Sequence, residues 1–546
     1  MFRILILTLA LFSAQAGPAV MTALTVPLRT LRPYPTLLAT LGVLPVSTDF
    51  TPANSAAFAT AITNSTGGDT ITLTAGQTYT GPFTLKSGLT STVTIRSSAH
   101  ASLPANATRV TSGDRSNMAI VVCSNFNNDP CFSTSGNDAD NWRITGLDLR
   151  QASGVTQDAG MIVIGDAAET TSANTPNNIE LDHNWLEATE ANAARGLFLN
   201  GRNINVHDNH ISGFRREGIE SQAILLMGGP GPVTIDNNYL SAIGEVFISG
   251  GGAAGILPGD LTFTRNYVEA PQKYNPWNPS VFDTNDVEGS TNLTVSSSGT
   301  TVTATGHGCP TLPDGTCIRM LKLTSGPQAG QIRTVSSAPN SNTLAIEQAF
   351  SANQSSVSAI LYQPWTAFKN NFEIKFLAGT ANLIEGNVFD GAWIMAQNGN
   401  GFLLTVRTQQ DATPSATIQN TTVQYNWFRR FNQFVTFLSP DDEGTGHGVA
   451  MDSVVVKHNL VETAYQFSGF GLQSGTTTDT PQSRDISRKF RDDARHRRVV
   501  SAQHGLLAGK RRGGFHLRRE HQWRLGGLQS RKQSLRSRQY VWRFFC

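Results

Sequence analysis

Glu373 and Lys375 stand two residues apart in the run Asn370-Asn-Phe-Glu-Ile-Lys-Phe376. If this run is a strand, Phe372, Ile374 and Phe376 point inward and Glu373 and Lys375 point outward, to water. The run from Gly401 to Arg407 repeats the pattern, with Phe402, Leu404 and Val406 inward and Arg407 outward. Stacked as neighbouring strands about 4.8 Å apart, the two runs bring Lys375 and Arg407 together. A lysine beside an arginine loses proton affinity through like charge and can act as a general base near neutral pH. Cleaving a uronic-acid polymer by elimination needs such a base beside the sugar carboxylate. It also needs an acid for the leaving oxygen and a cation to neutralise the carboxylate. The bland alternative is an exposed ion pair of Glu373 with Lys375 or a neighbour, which contributes little.

A second group lies between residues 195 and 251. Glu245 precedes Val246 and Ile248, which suggests an outward carboxylate. With Glu220 it could form an acid/base pair for glycoside hydrolysis, or the two could satisfy turn amides. Arg195 and Gln222 are the expected sugar-binding side chains of this group. Lys273, Tyr274 and Trp277 could stack on a sugar ring or pack beneath the segment that follows. Gly306-His-Gly308, Gly446-His-Gly448 and Asp441-Asp442 read as loops. Gly228 to Gly231 is no phosphate loop, because no Lys-Ser/Thr follows it.

These residues need a scaffold, and a repeat supplies it. Seven segments end in Asn184, Asn209, Asn238, Asn266, Asn387, Asn426 and Asn459. Three residues before each Asn sits Leu181, Val206, Ile235, Phe263, Ile384, Val423 or Val456; two residues after it sits Leu186, Ile211, Leu240, Val268, Phe389, Phe428 or Val461. Such regularity marks an internal repeat. The first three spacings are 25, 29 and 28 residues, which suits one turn of a three-sheet parallel β-helix. The Asn falls where the chain bends. It tolerates left-handed backbone angles, and its amide can bond to the same amide one coil away. Ala53 to Ile62 reads as a short amphipathic helix, with Phe58, Ala61 and Ile62 on one side, able to cover the first coil.

The expected organisation is a signal peptide at 1–16, a linker at 17–47, β-helix at 48–287, an inserted β-domain at 288–364, β-helix again at 365–480, and a tail at 481–546. Arg3, the apolar run from Ile4 to Phe12 and Ala14-Gln-Ala16 form the secretory signal. The insert interrupts the Asn repeat with alternating Thr/Ser and aliphatic residues, and decoration of a loop is its expected role. Cys123 with Cys131 and Cys309 with Cys317 can close local disulfides in an oxidising compartment. The chain is therefore expected to be secreted or periplasmic, monomeric, and neither inserted in a membrane nor bound to nucleic acid. Residues 484–546 hold 18 Lys/Arg against four Asp/Glu, whereas the preceding 483 hold 24 against 36. The body is acidic, and the basic tail reads as a reading-frame error or a disordered extension.

Gly68-Asp-Thr-Ile-Thr-Leu-Thr-Ala-Gly76 followed by Tyr79-Thr-Gly81 resembles the opening coil of pectate-lyase-like secreted proteins, right-handed parallel β-helices of all-β class. Arg195-Gly-Leu-Phe198, Glu220-Ser-Gln-Ala-Ile224, Gly229-Pro-Gly-Pro232 and Leu383-Ile-Glu-Gly-Asn387 are similar to a bacterial group of such proteins without an established reaction. Glu373-Ile-Lys375, the Asn387 turn and the strand ending in Arg407 resemble the chondroitinase-B and alginate-lyase family. That resemblance implies Lys375 as base, Arg407 as acid and Glu373 near a calcium ion. Thr408-Gln409 stands where that family has His-Gly, and Asn371 where a second carboxylate would be. The expected function is a polysaccharide lyase acting on a uronate polymer. The alternatives are a non-catalytic glycan-binding adhesin and a glycoside hydrolase using Glu220 and Glu245.

Overall fold

The computed structural model describes residues 47–134, 138–252, 254–309, 316–365, 370–393, 402–407, 417–431, 433–440, 451–463, 468–475 and four short strands beyond residue 505, with 402–407 and 468–475 given as backbone. The proposed signal peptide and most of the linker and tail lie outside these residues, as do Cys546, Asp441-Asp442 and Gly446-His-Gly448.

The chain winds through three parallel sheets of 12, 12 and 10 strands, which stack as a β-helix. The strands Asn177–Asp182, Arg202–His207, Val233–Asp236, Leu261–Thr264, Asn382–Glu385, Gln419–Gln424 and Asp452–Lys457 are successive rungs of the first sheet. They are the seven Asn-marked segments, in sequence order. Each Asn turn leads into a strand of the second sheet, among them Trp185–Glu187, His210–Arg216, Tyr239–Ala242, Tyr267–Glu269 and Val388–Ala392. The third sheet then carries Arg195–Asn200, Gln222–Gly228, Phe247–Ser249, Asn370–Ile374 and Phe402–Arg407. The apolar residues three before and two after each Asn all join one continuous buried cluster. Burial of this column removes apolar area from water along the whole helix.

The asparagines form a continuous ladder. The Nδ2 of Asn184 donates to Oδ1 of Asn209 at 3.2 Å, and the same bond runs from Asn209 to Asn238, Asn266, Asn387, Asn426 and Asn459 at 2.9–3.1 Å. Each Oδ1 also accepts the backbone N–H of the preceding ladder Asn. Here the structure corrects the sequence reading: the left-handed residue is the one before each ladder Asn. His183, Asp208, Asn237, Arg265, Tyr425 and His458 have φ of 52–59°, and Gly386 holds the same place at 69°. The ladder Asn is kept because its amide satisfies buried backbone groups of two neighbouring coils.

The helix Ser55–Asn64 is capped by Asn54, whose side chain accepts from the N–H of Ala57, and it buries Phe58, Ala61 and Ile62 over the first coil. The inserted domain is a closed antiparallel barrel of six strands, Gly289–Ser298, Thr301–Thr303, Thr316–Leu323, Ile332–Asn340, Thr343–Ile346 and Gln354–Gln363. It has its own apolar core. His307 of the first Gly-His-Gly is buried there, with Nε2 bonded to the carbonyl of Asn340. Beyond residue 505, Leu506–Ala508 and Tyr540–Trp542 pair antiparallel with the last described rungs. Both cysteine pairs are disulfides. Such bonds persist outside the cytosol, which fits an extracellular or periplasmic protein. Among the described residues, no helix is long and apolar enough to cross a membrane.

Candidate functional site

The two residue groups separated in the sequence occupy one face. Phe247, Ile248 and Ser249 pair in register with Phe372, Glu373 and Ile374, so the coil bearing Glu245 lies directly beside the coil bearing Lys375. The barrel is looped out between them.

Gly196, Ala223 and Val246 turn toward the core: a Cβ on Gly196 would lie 2.7 Å from Ile211, and the other two belong to the core cluster. Arg195, Gln222 and Glu245 therefore project outward on three successive rungs. Arg195 Nε donates to Gln222 Oε1 at 2.9 Å, and Gln222 Nε2 donates to Glu245 Oε2 at 3.0 Å. Arg195 also donates to the carbonyl of Asp158 at 2.5 Å. Burial lowers the proton affinity of the Arg195 guanidinium, while the charges of Asp158, Glu245 and Glu220 oppose that shift. Glu220 lies in the turn ahead of Gln222 and is half-buried. Asn370 continues the row one rung on, and its Nδ2 donates to Glu373 Oε2 at 2.7 Å.

Leu225, Ile248 and Glu373 form the next outward row. This face is not the solvated surface the alternation suggested. Glu373 is 1% exposed and Lys375 is 4% exposed. An exposed ion pair is thereby replaced by a buried polar arrangement. The inward assignment of Phe376 is also corrected. Ser249's carbonyl accepts from both Lys375 N at 2.8 Å and Phe376 N at 3.3 Å. That bulge breaks the alternation. Leu377 takes the core position, and Phe376 packs outside it against Met227, Ala254 and Leu257.

Lys375 lies along Gly251, whose φ is +103°; a Cβ there would sit 3.2 Å from Lys375 Cδ and 3.4 Å from Nζ. Among the described residues, Nζ has no hydrogen-bond or ion-pair partner. Ile374 stands opposite Val406, so the backbone positions 375 and 407 follow in adjacent rungs. The side chain of Arg407 lies outside the described residues. Lys273 and Trp277 lie elsewhere, at the root of the barrel. Lys273 pairs with Asp286 at 3.1 Å, and Trp277 packs against the helical core.

Calcium takes about six to eight oxygen ligands. Around Glu373 the described contacts include the amide of Asn370, and the cations Lys375 and Arg195 share the face. Elsewhere, Glu180, Asp182 and His207 on the outer face of the first sheet have ligand atoms within 4.8 Å of one another and could hold an ion. Sequence reading missed this group, because its members come from two coils that only the strand register aligns. Arg143 already serves it, with Nε 2.8 Å from Asp182 and 3.6 Å from Glu180. Although burial disfavours its charge, Asp182 is held well below the usual carboxylate range by Arg143, His183 and Thr145. Burial alone would lower the proton affinity of His207, but Glu180 and Asp208 outweigh it and push the imidazole up to about 9.

No protein-family profile matches the chain, and no curated protein matches it. Among solved structures, an alginate lyase from Paenibacillus sp. str. FPU-7 is similar at 12% identity over 78% of this chain and 97% of its own, with a TM-score of 0.37. PfbA, a surface adhesin of Streptococcus pneumoniae, is similar at 9% identity over 84% of this chain and 87% of its own, with a TM-score of 0.37. The tailspike protein gp49 from Acinetobacter baumannii bacteriophage Fri1, a capsular polysaccharide depolymerase, is similar at 10% identity over 84% of this chain and 66% of its own, with a TM-score of 0.33. These distant likenesses carry no activity over to this chain, whose β-helix rests on its own strand pairing.

Proposed function

We propose that this chain is an exported β-helix that cleaves a uronate-containing polysaccharide by β-elimination on the outer face of its third sheet. One observation carries this reading: Lys375 is 4% exposed, its Nζ has no hydrogen-bond or ion-pair partner among the described residues, and it follows Ile374, which pairs with Val406, the residue before Arg407. An amine on that face, beside the outward polar row, can serve as a general base. In the proposed reaction, Lys375 takes the proton beside the sugar carboxylate. The electron pair left behind forms the new carbon–carbon double bond, the glycosidic carbon–oxygen bond breaks, and Arg407 protonates the leaving oxygen. Arg195, Gln222 and Asn370 line the same face and are the proposed sugar contacts, with Glu373 fixing Asn370. No step is assigned to a metal.

The test is incubation of the purified protein with alginate, pectate and glycosaminoglycans, following the absorbance of unsaturated uronate. General-base catalysis supplies about 10²–10⁴-fold, so Lys375→Ala should lose activity on that scale. Cleavage unchanged in Lys375→Ala overturns the proposal. Reducing ends formed without the absorbance would point to hydrolysis by Glu220 and Glu245. Glycan binding without cleavage would point to an adhesin.

A further inference from the structure

The corner between the first and second sheets, away from Lys375, carries a column of left-handed residues just ahead of the Asn ladder. In that column Arg265 stands one rung before Gly386 and Tyr425 one rung after it. Gly386 leaves a gap between them. A Cβ there would meet only Arg265 Cγ, at 4.0 Å. The Arg265 head group turns back one rung to Asp236, with Nε 2.9 Å from Oδ1, and so away from the gap. Tyr425 stacks on His458 in the next rung, with ring centroids 5.4 Å apart and planes within 11°. His458 covers one face of the Tyr425 ring; the opposite face looks back over Gly386. Tyr425 is 56% exposed.

Two rungs separate Arg265 from Tyr425, roughly 9.5 Å. Carbon atoms touch at about 3.5–4.0 Å, so the gap admits one ring in contact with both sides. On the adjoining outer face of the first sheet, a groove of about 530 Å³ runs over Leu383, Thr422, Gln424 and Lys457, within the size range of small-ligand sites. Glu385, Gln424 and Lys457 follow one another on successive rungs along its edge. Gln424 Nε2 donates to Glu385, so that carboxylate is already engaged. Lys457 Nζ makes no hydrogen bond or ion pair among the described residues. An aromatic face beside amide, hydroxyl and ammonium groups suits a sugar, whose ring has an apolar face and polar edges. We propose that the slot over Gly386 and the groove beside it bind an acidic oligosaccharide without cleaving it, one ring lying on Tyr425 and a sugar carboxylate meeting Lys457. The choice of an acidic sugar rests on the function proposed above; the slot itself does not.

The experiment is calorimetry on the full chain carrying Lys375→Ala, which on the proposed mechanism leaves the ligand uncut. The ligands are hexasaccharides of alginate and of pectate, with cellohexaose as the neutral control. An acidic hexasaccharide should bind. Tyr425→Ala removes the platform. Gly386→His covers it with a ring, at a place in the coil that His183 and His458 already hold with left-handed backbone, as histidine tolerates. Each should remove one site per chain, or weaken it at least about tenfold, with the unfolding midpoint of the parent. Lys457→Gln should weaken the acidic ligands, and Arg195→Ala, on the third sheet, should leave this site intact. Failure of every acidic hexasaccharide to bind, or binding unchanged in both Tyr425→Ala and Gly386→His, would overturn the site. Equal binding of neutral and acidic ligands, with no effect of Lys457→Gln, would overturn the acidic sugar. Polymer cleavage by the parent chain is read separately, so this binding without any cleavage would sink the lyase reading and leave the slot standing.

Discussion

Ser249 Oγ donates to the carbonyl oxygen of Phe376 at 2.8 Å, joining residues 127 positions apart in the chain. This bond sits at the bulge that ends the strand Asn370–Ile374, where Lys375 and Phe376 share one carbonyl. Through it the coil before the barrel and the coil after it become a single face. The polar row from Arg195 to Asn370 and Lys375 thus lie on one face.

The slot for Lys375 depends on Gly251. A methyl group there would crowd the lysine, and φ of +103° is strained for any L side chain. Gly251→Ala should therefore displace Nζ and cost about 1–3 kcal/mol in backbone strain. On the lyase proposal, uronate elimination should fall at least about tenfold. Kinetics alongside thermal unfolding checks both; full activity with an unchanged midpoint would remove Gly251 from the site.

Glu245 holds Gln222 and faces Arg195 across the row. Glu245→Ala leaves a buried amide donor unpaired and takes a nearby counter-charge from Arg195. The expected loss is about 2–4 kcal/mol in denaturant unfolding. Glu245→Gln should lose less, because it keeps an oxygen for Gln222. Equal losses in the two variants would mean that the hydrogen bond contributes nothing.

Asp286 ties the barrel root to the helix. Its carboxylate meets Arg215 at 2.8 Å, Lys273 at 3.1 Å, the Tyr274 hydroxyl at 2.8 Å and the Trp365 indole at 3.3 Å. Burial would raise its pKa, but the charge of Arg215 and the bonds from Tyr274, Lys273 and Arg215 hold it below the usual value. A depressed folded-state pKa stabilises above the unfolded-state value, and that contribution is lost as pH falls through the folded value. Asp286→Asn should cost about 1.5–3 kcal/mol at neutral pH and make unfolding stability less steep on the acid side. An unfolding series across acid pH would show the same slope in both proteins if Asp286 played no such part.

Asn238 is fully buried in the middle of the ladder. Its Nδ2 donates to Asn266 Oδ1 and to the carbonyls of Val206 and Asp236, and its Oδ1 accepts from Asn209. Asn238→Ala strands donors and acceptors of two coils at once, and an expected cost of about 3–5 kcal/mol follows. Chemical denaturation would reveal it; a loss under about 1 kcal/mol would mean that the ladder only accompanies the apolar stack.

The amino-acid pattern alone specifies the coil. Period-two apolar pairs on either side of an Asn can bury one face only by stacking rung on rung, so the seven segments, their core residues and the capping helix were legible in advance. Backbone detail was not. The sequence reading put the left-handed angle on the Asn itself, because it could not see that the side chain was already committed to buried amides and carbonyls. Strict alternation likewise sent Phe376 inward, since a bulge costs a single residue and leaves no mark in composition.

What only the tertiary structure decided is which residues meet. A barrel of six strands separates Glu245 from Glu373 in the chain, yet a parallel β-helix places coils by register, so a looped-out domain changes sequence distance without changing neighbours. The same register brings Glu180 and Asp182 to His207 from consecutive coils. Burial was decided there as well: alternation tells inside from outside on a strand, but whether the outer face meets water depends on what packs against it, and that is set by segments distant in sequence.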